Sequence, residues 1–428
     1  MQLYLLYLQI IPTFVPIKSN PIINKTSTAV MKKKTILFAS CLFGVFAFSS
    51  CEKNLYDESK QPEKEKKMTD LEVPENFGWT DYQESKVKIT TSKETTVYIY
   101  LAKDCNEKDL MLKMKVSTDT QILPLEIPAY IENVYVKYEG GSNVSVVPVN
   151  ADGTISISVP AVNAKTLASR AITNYTENTN DNFFGYPSGD GYATVMFEDM
   201  YPSLGDYDFN DFAAHYRLQI PEFYWNIKKR QWVTDVMYIG FQVRAIGGIY
   251  DYDPYIRLTN VKYEDLDIES CEEASHSNFK ITEGPKGEAI IFYKKPAIPE
   301  GQKYFNTELD QKNDPGKFPD ALYLFFNSSI SVDNLQNSKV DIYLAKKNHG
   351  QEIHLKGYHS VYGSAQEKYA TDKNLVWGFK IPEAICHATE KTNFLQAYPD
   401  FDKWVMSNGT QYKQWWTNKV STKLIINN

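Results

Sequence analysis

Six side chains that carry oxygen, Glu198, Asp199, Asp206, Asp208, Asn210 and Asp211, lie within fourteen consecutive residues. Asp206, Asp208 and Asn210 recur at every second residue with Tyr207 and Phe209 between them. In an extended or turning loop this spacing turns the oxygens to one side and the rings to the other. Carboxylates so close repel one another unless something neutralises them. Ca²⁺ takes about six to eight oxygens in flexible geometry, whereas Mg²⁺ prefers to keep several of its waters, so Ca²⁺ is the better match. The loop is not an EF-hand. Counted from Asp206, the sixth position holds Asp211 in place of glycine and the twelfth Arg217 in place of glutamate. The competing use is a solvated acidic turn whose aspartates cap nearby amides. The rings Phe197, Tyr207, Phe209 and Phe212 favour a loop anchored in a core, and the expectation is a structural Ca²⁺ held by the six residues.

Other chemistry is sparse. Asp251 and Asp253, set among Tyr250, Tyr252 and Tyr255, read as a loop before Pro254 rather than as part of a cation shell. His349, His354 and His359 are spaced by five, which puts neighbours on opposite faces of a strand, and no HExxH pattern accompanies them. There is no GxSxG elbow, P-loop or GxGxxG turn, and Cys386-His387 are adjacent rather than poised across a cleft. Glu198 and Asp208 could serve a glycosidase as a carboxylate pair, but cation binding is the simpler use of so dense a cluster. Trp225, Trp232, Trp415 and Trp416 could stack on sugar rings, although core packing accounts for most of them. The chain is expected not to be an enzyme.

The elements that position the acidic loop are strands. Val97, Ile99 and Leu101, then Val134, Val136 and Tyr138, then Ile155, Ile157 and Val159 alternate with period two. Gly140-Gly141-Ser142-Asn143 and Asn150-Ala151-Asp152-Gly153 supply turns. Further strands are predicted at 193–197, 216–220, 236–245, 289–293, 321–326, 340–344 and 375–381. One short helix is predicted near the C-terminus, starting at Pro399-Asp400, burying Phe401, Trp404 and Val405, and stopping at Asn408-Gly409. The fold class is all-β, with two antiparallel, jelly-roll-like β-sandwich domains over 76–162 and 183–428 joined by a polar linker over 163–182.

Ahead of them, Lys32-Lys33-Lys34 precede an apolar run from Thr35 to Phe48 that stops at Ser49-Ser50-Cys51. The run is shorter than the ~20 apolar residues a permanent bilayer span needs and follows the signal-peptide pattern. It resembles the bacterial lipobox, with Cys51 as the lipidated residue, residues 1–50 as signal peptide plus upstream extension, and 51–75 as a charged tether. An upstream start is the simplest account of residues 1–30, with Met31 as the true first residue. Without residues 1–50 the chain carries 41 basic and 53 acidic residues, net −12, which argues against nucleic acid or anionic lipid as partner. Cys105, Cys271 and Cys386 allow one disulfide without assigning it.

The run FEDMYPSLGDYDFNDFAAHYRL, preceded by YPSGDGYATVM and followed by GFQVRAIGG, resembles the LruC domain family of exported Bacteroides-type lipoproteins. EIHLKGY at 352–358, LVWGFKIP at 375–382 and AYPDFDKWVMSNG at 397–409 match it in order, so the resemblance covers 183 to the C-terminus. It implies an exported β-sandwich that binds a cation at the acidic loop and has no established reaction. Glu198, Asp199, Asp206, Asp208, Asn210 and Asp211 match the hallmark, whereas Ala213, Ala214 and His215 stand where the family has an aliphatic pair and an acid. The combined expectation is an outer-membrane lipoprotein, at the periplasmic face or the cell surface, held by its lipid. Its role would be adhesion to, or binding of, a surface glycan or protein; glycan capture is the alternative and a hydrolase the third.

Overall fold

The acidic loop is the connection between two neighbouring strands of one long sheet. Ala193–Phe197 enters it and Phe212–Ile220 leaves it, paired antiparallel with Phe212 opposite Phe197. A third strand, Gly378–Ile381, pairs with the entering strand and sets Gly378 opposite Phe197. These observations come from a computed structural model that describes residues 65–118, 120–141, 143–159, 182–364 and 366–425. Cys51, the rest of the signal segment, the tether up to residue 64 and residues 163–181 of the linker lie outside the described residues.

The protein is all-β, and its described residues build an eleven-stranded, a five-stranded and a three-stranded sheet. The long sheet runs through Leu110–Val116 into Phe183–Tyr186, with Leu112 opposite Phe184, so strands on both sides of the expected linker share it. The three-stranded sheet sends Val87, Ile89, Leu123, Ile155 and Ile157 into the same apolar core as Val97, Ile99, Leu112 and Val134 of the long sheet. The five-stranded sheet adds Ile256, Ile291 and Ile342 to that core. Among the described strands pairing is antiparallel with one exception: Tyr82–Thr91 runs parallel to Thr154–Val159. The period-two pattern appears directly in burial, since Tyr82–Thr91 alternates buried and exposed over its second half.

Ala193–Phe197 instead reads as an unbroken buried run, because both faces of this strand are covered. Val195 and Phe197 face the main core, while Met196 faces a second core of stacked rings. That second core joins Phe209, Phe379, Phe394, Phe401, Trp404 and Trp415. The Phe401–Met406 helix supplies three of its buried residues, Phe401, Trp404 and Val405, and Asn408 (φ 55°) and Gly409 (φ 73°) end it. Two further helices, Ile268–Ala274 and Phe394–Ala397, had no clear periodic signal; seven and four residues are too short to show one. Trp232, Trp415 and Trp416 are buried, and Trp225, the exposed one, packs against Trp232 at 5.4 Å.

Cys105, Cys271 and Cys386 are all free thiols. Among the described residues no helix is long and apolar enough to cross a membrane.

Candidate cation site

Glu198 is the hub. It is fully buried at the end of the entering strand, where its own N–H donates to the Trp377 carbonyl at 2.7 Å. Its carboxylate accepts the Tyr207 N–H at 3.0 Å and the Phe209 N–H at 2.7 Å. The loop therefore wraps around one side chain. Tyr207 and Phe209 both adopt left-handed backbone, φ 58° and 53°, which bulky residues rarely do. This turns the loop more tightly than an extended stretch would, yet it preserves the expected division of faces. Phe209 is driven into the ring core, edge-on to Phe379 at 4.8 Å and Phe394 at 5.3 Å, with Tyr207 against it at 5.7 Å.

The result is a convergence of oxygens. Glu198, Asp206 and Asp208 each offer a carboxylate oxygen, and the three lie within 4.8 Å of one another. Asp206 is exposed at the rim and the other two are buried. Asp208 is held from two sides, accepting the Asn210 N–H at 3.3 Å and the Lys391 N–H at 2.7 Å.

Asp199 and Asp211 are tied into the frame. The Asp211 carboxylate accepts the Asp199 N–H at 2.8 Å, and the Asp199 carboxylate accepts the Tyr250 N–H at 2.7 Å, which pins the turn at Gly247-Gly248 against the loop. Asn210 donates from its amide to the Ala388 carbonyl at 3.2 Å, which leaves its own side-chain oxygen buried and without a hydrogen-bond partner.

Glycines permit the close approach. A Cβ at Gly205 would collide with the Glu198 carboxylate, and one at Gly248 with that of Asp199. Gly205→Ala should therefore displace the hub, at a cost of about 1–3 kcal/mol in urea denaturation. A change below about 0.5 kcal/mol, the range of an ordinary surface substitution, would show that Glu198 is not seated as described.

The electrostatics are those of crowded, uncompensated acids. Burial, then the charges of Asp211 and Asp208, raise Glu198 well above the usual carboxylate range. Burial and neighbouring acids push both Asp208 and Asp211 up to about 8. Among the described residues no Lys, Arg or His side chain forms an ion pair with any of the six.

Sequence reasoning missed the far wall. Glu390 donates its N–H to the Thr307 carbonyl at 3.0 Å, and its charge is felt by Asp208 and Asp211. One Glu390 carboxylate oxygen and the Thr307 hydroxyl are buried without partners. Nothing in the run ICHATEKTN flags Glu390 locally, since it is a single acid about 180 residues from the loop.

The other candidates stay apart. Asp251 pairs with Lys295 at 2.8 Å and Asp253 lies 3.9 Å from the same lysine, while the strand Tyr252–Lys262 begins where a loop was expected. His354 is buried between Asp341 and Glu352, His349 stacks on Tyr362 at 4.0 Å, and the His359 carbonyl accepts from Arg257, the partner of Asp341, so the three histidines gather around the Asp341–Glu352 pair and not at the acidic loop. His215, at the departure from the family pattern, is half-buried, with its Nε2 3.1 Å from the Ile385 carbonyl.

Comparison with known proteins adds the fold. No curated protein sequence matches the chain. A crystal structure of a Bacteroides ovatus protein described as a lipoprotein superposes with a TM-score of 0.56 at 20% identity, covering 78% of this chain and 99% of that one. The two share their fold. Over residues 233–416, which exclude the acidic loop but include Gly247, Gly248, Glu390 and the core rings Phe379, Phe394, Phe401, Trp404 and Trp415, the chain is similar to the family described as "Domain of unknown function (DUF4842)".

Proposed function

We propose that the chain is an exported, lipid-anchored envelope protein of the LruC kind, whose acidic loop holds a structural Ca²⁺ and whose folded part binds a glycan or protein ligand at the cell surface. The observation that carries the cation is the meeting of Glu198, Asp206 and Asp208 oxygens within 4.8 Å, with no basic partner among the described residues. Every donor in reach is an oxygen, which selects a hard cation. Buried, partnerless oxygens at Asn210, Glu390 and Thr307 offer neutral and anionic ligands beyond the three carboxylates. A divalent ion there would offset the repulsion that raises Glu198, Asp208 and Asp211, and would lock the entering strand, the loop and the 388–391 segment together. A non-catalytic role fits this use, because the acids are held by backbone N–H groups and not aimed at a reacting bond.

The anchor rests on Lys32-Lys33-Lys34, the apolar run and Cys51, and the lipoprotein description of the Bacteroides ovatus protein of like fold supports it. Outer-membrane location and adhesion follow from that reading.

Extracellular Ca²⁺ modules bind with dissociation constants of roughly 0.1–1 mM. At a few millimolar Ca²⁺ the linkage contribution is about 1–2 kcal/mol, so the protein lacking residues 1–50 should melt a few degrees lower in EDTA than in Ca²⁺. Identical melting curves, with no metal recovered by elemental analysis, would refute the cation.

A further inference from the structure

A cavity far from the acidic loop in sequence has the walls of a small binding site. It encloses about 140 Å³ between the 79–82 segment, the 355–358 turn and the strand Gly378–Ile381. Asp81 lines it, 3% exposed, with both carboxylate oxygens buried and unpartnered. Asn337 lines it too, 1% exposed, with its amide N–H₂ making no hydrogen bond. A buried carboxyl group without donors costs several kcal/mol; burial raises Asp81 well above the usual carboxylate range, and the charge of Lys413 offsets this only in part. Trp79, Tyr82 and Tyr358 give ring walls, and exposed Thr80 and Gly357 form the mouth.

The charges choose the ligand. Lys356 and Lys380 also border the cavity, their ammonium groups bonded to the Phe77 carbonyl at 2.7 Å and the Asn337 carbonyl at 3.1 Å. An ammonium ligand would meet Asp81 favourably but face two lysines. An anion would meet the lysines but face Asp81. Hydroxyl groups satisfy both, since each donates to a carboxylate and accepts from an amide or ammonium. Flat aromatic walls suit the C–H face of a sugar ring. The volume lies below the roughly 300–1,000 Å³ of drug-sized pockets and suits a single ring. A second depression of about 320 Å³ shares Thr80 and Tyr82 with the first, giving a linked chain a way out.

We infer that this cavity binds the terminal monosaccharide of a glycan, with Asp81 accepting from its hydroxyls and the Asn337 amide donating to it. The inference rests on the ligand-binding part of the proposed function and not on the cation, so it stands or falls separately from the melting curves in EDTA.

The test is saturation-transfer NMR and calorimetry of the protein lacking residues 1–50 with free hexoses, N-acetylhexosamines, 6-deoxyhexoses and pentoses. At least one class should bind, and Asp81→Asn should weaken it tenfold or more. The same variant should melt no lower than wild type, because it replaces a buried carboxyl group that has no hydrogen-bond partner; this separates lost binding from lost folding. Trp225→Ala, at the exposed indole, should bind as wild type does. The inference is overturned if no sugar class binds at millimolar concentration, if alkylammonium ions bind there in their place, or if Asp81→Asn binds sugar as wild type does.

Discussion

Glu198→Gln should cost about 2–4 kcal/mol in Ca²⁺ and much less in EDTA. With the ion bound, the carboxylate accepts two backbone N–H groups and supplies a ligand charge, and hydrogen bonds to a charged group are worth about 1.5–3 kcal/mol. Glutamine keeps one acceptor and sets an N–H₂ against the Tyr207 or Phe209 N–H. Without the ion, Glu198 is a desolvated acid among Asp208 and Asp211, so losing its charge relieves repulsion as it removes a bond. The difference between the melts in Ca²⁺ and in EDTA should therefore vanish. Asp206→Asn is the counterpart: Asp206 is exposed, so the fold should be unaffected while Ca²⁺ affinity falls about tenfold, the lower end for weakening a metal site. Equal losses in Ca²⁺ and EDTA for Glu198→Gln would mean that Glu198 acts only as a loop anchor.

A larger effect is expected from a cluster that takes no part in the cation site. Asp341 is fully buried and accepts from Arg257 at 2.7 Å, with His354 at 2.8 Å on the same oxygen. The other face of His354 meets Glu352 at 3.0 Å, and Ser360 and Val361 also donate to Glu352. Tyr343 stacks on the imidazole at 4.2 Å. Removing one partner from such a network leaves buried charge uncompensated, so Asp341→Asn should cost about 3–5 kcal/mol.

Its pH dependence has a definite sign. Burial opposes the His354 charge, but Asp341 and Glu352 outweigh it and hold its pKa above the usual value. That contribution is complete below the unfolded histidine pKa of about 6.5 and is lost as pH rises through the folded value. Glu352 is pushed up by burial, but its hydrogen bonds from His354 and Ser360 bring it down to about 2. Its contribution is present above the unfolded value of about 4.3 and is lost as pH falls toward 2. Urea denaturation at pH 5 and pH 9 should show Asp341→Asn costing more at pH 5. An equal cost at both would mean that His354 stays neutral throughout.

The strands were legible because alternation of apolar and polar residues is a direct consequence of one buried face, as at Ile155, Ile157 and Val159. The acidic loop was legible because its ligand candidates are sequential and the rings between them mark a core. Its internal division was not. Spacing treats the six oxygen donors alike, yet Glu198, Asp206 and Asp208 converge while Asp199 and Asp211 are tied to each other and to the Tyr250 N–H. Glu390 and Thr307 were invisible because long-range pairing, not local sequence, brings them to the loop. The same holds for Asp81, whose burial depends on the 79–82 segment lying against strands some 300 residues later.

A divalent ion sitting among Glu198, Asp206 and Asp208 is what binds the loop, its flanking strands and the 388–391 segment into one proposed site. Crystals of the protein grown in millimolar Ca²⁺, with anomalous data collected, test it directly. One strong peak is expected there, coordinated by about six to eight oxygens at roughly 2.3–2.6 Å, the three carboxylates among them. Ordinary water density at that point, with the carboxylates turned away from one another, would contradict it.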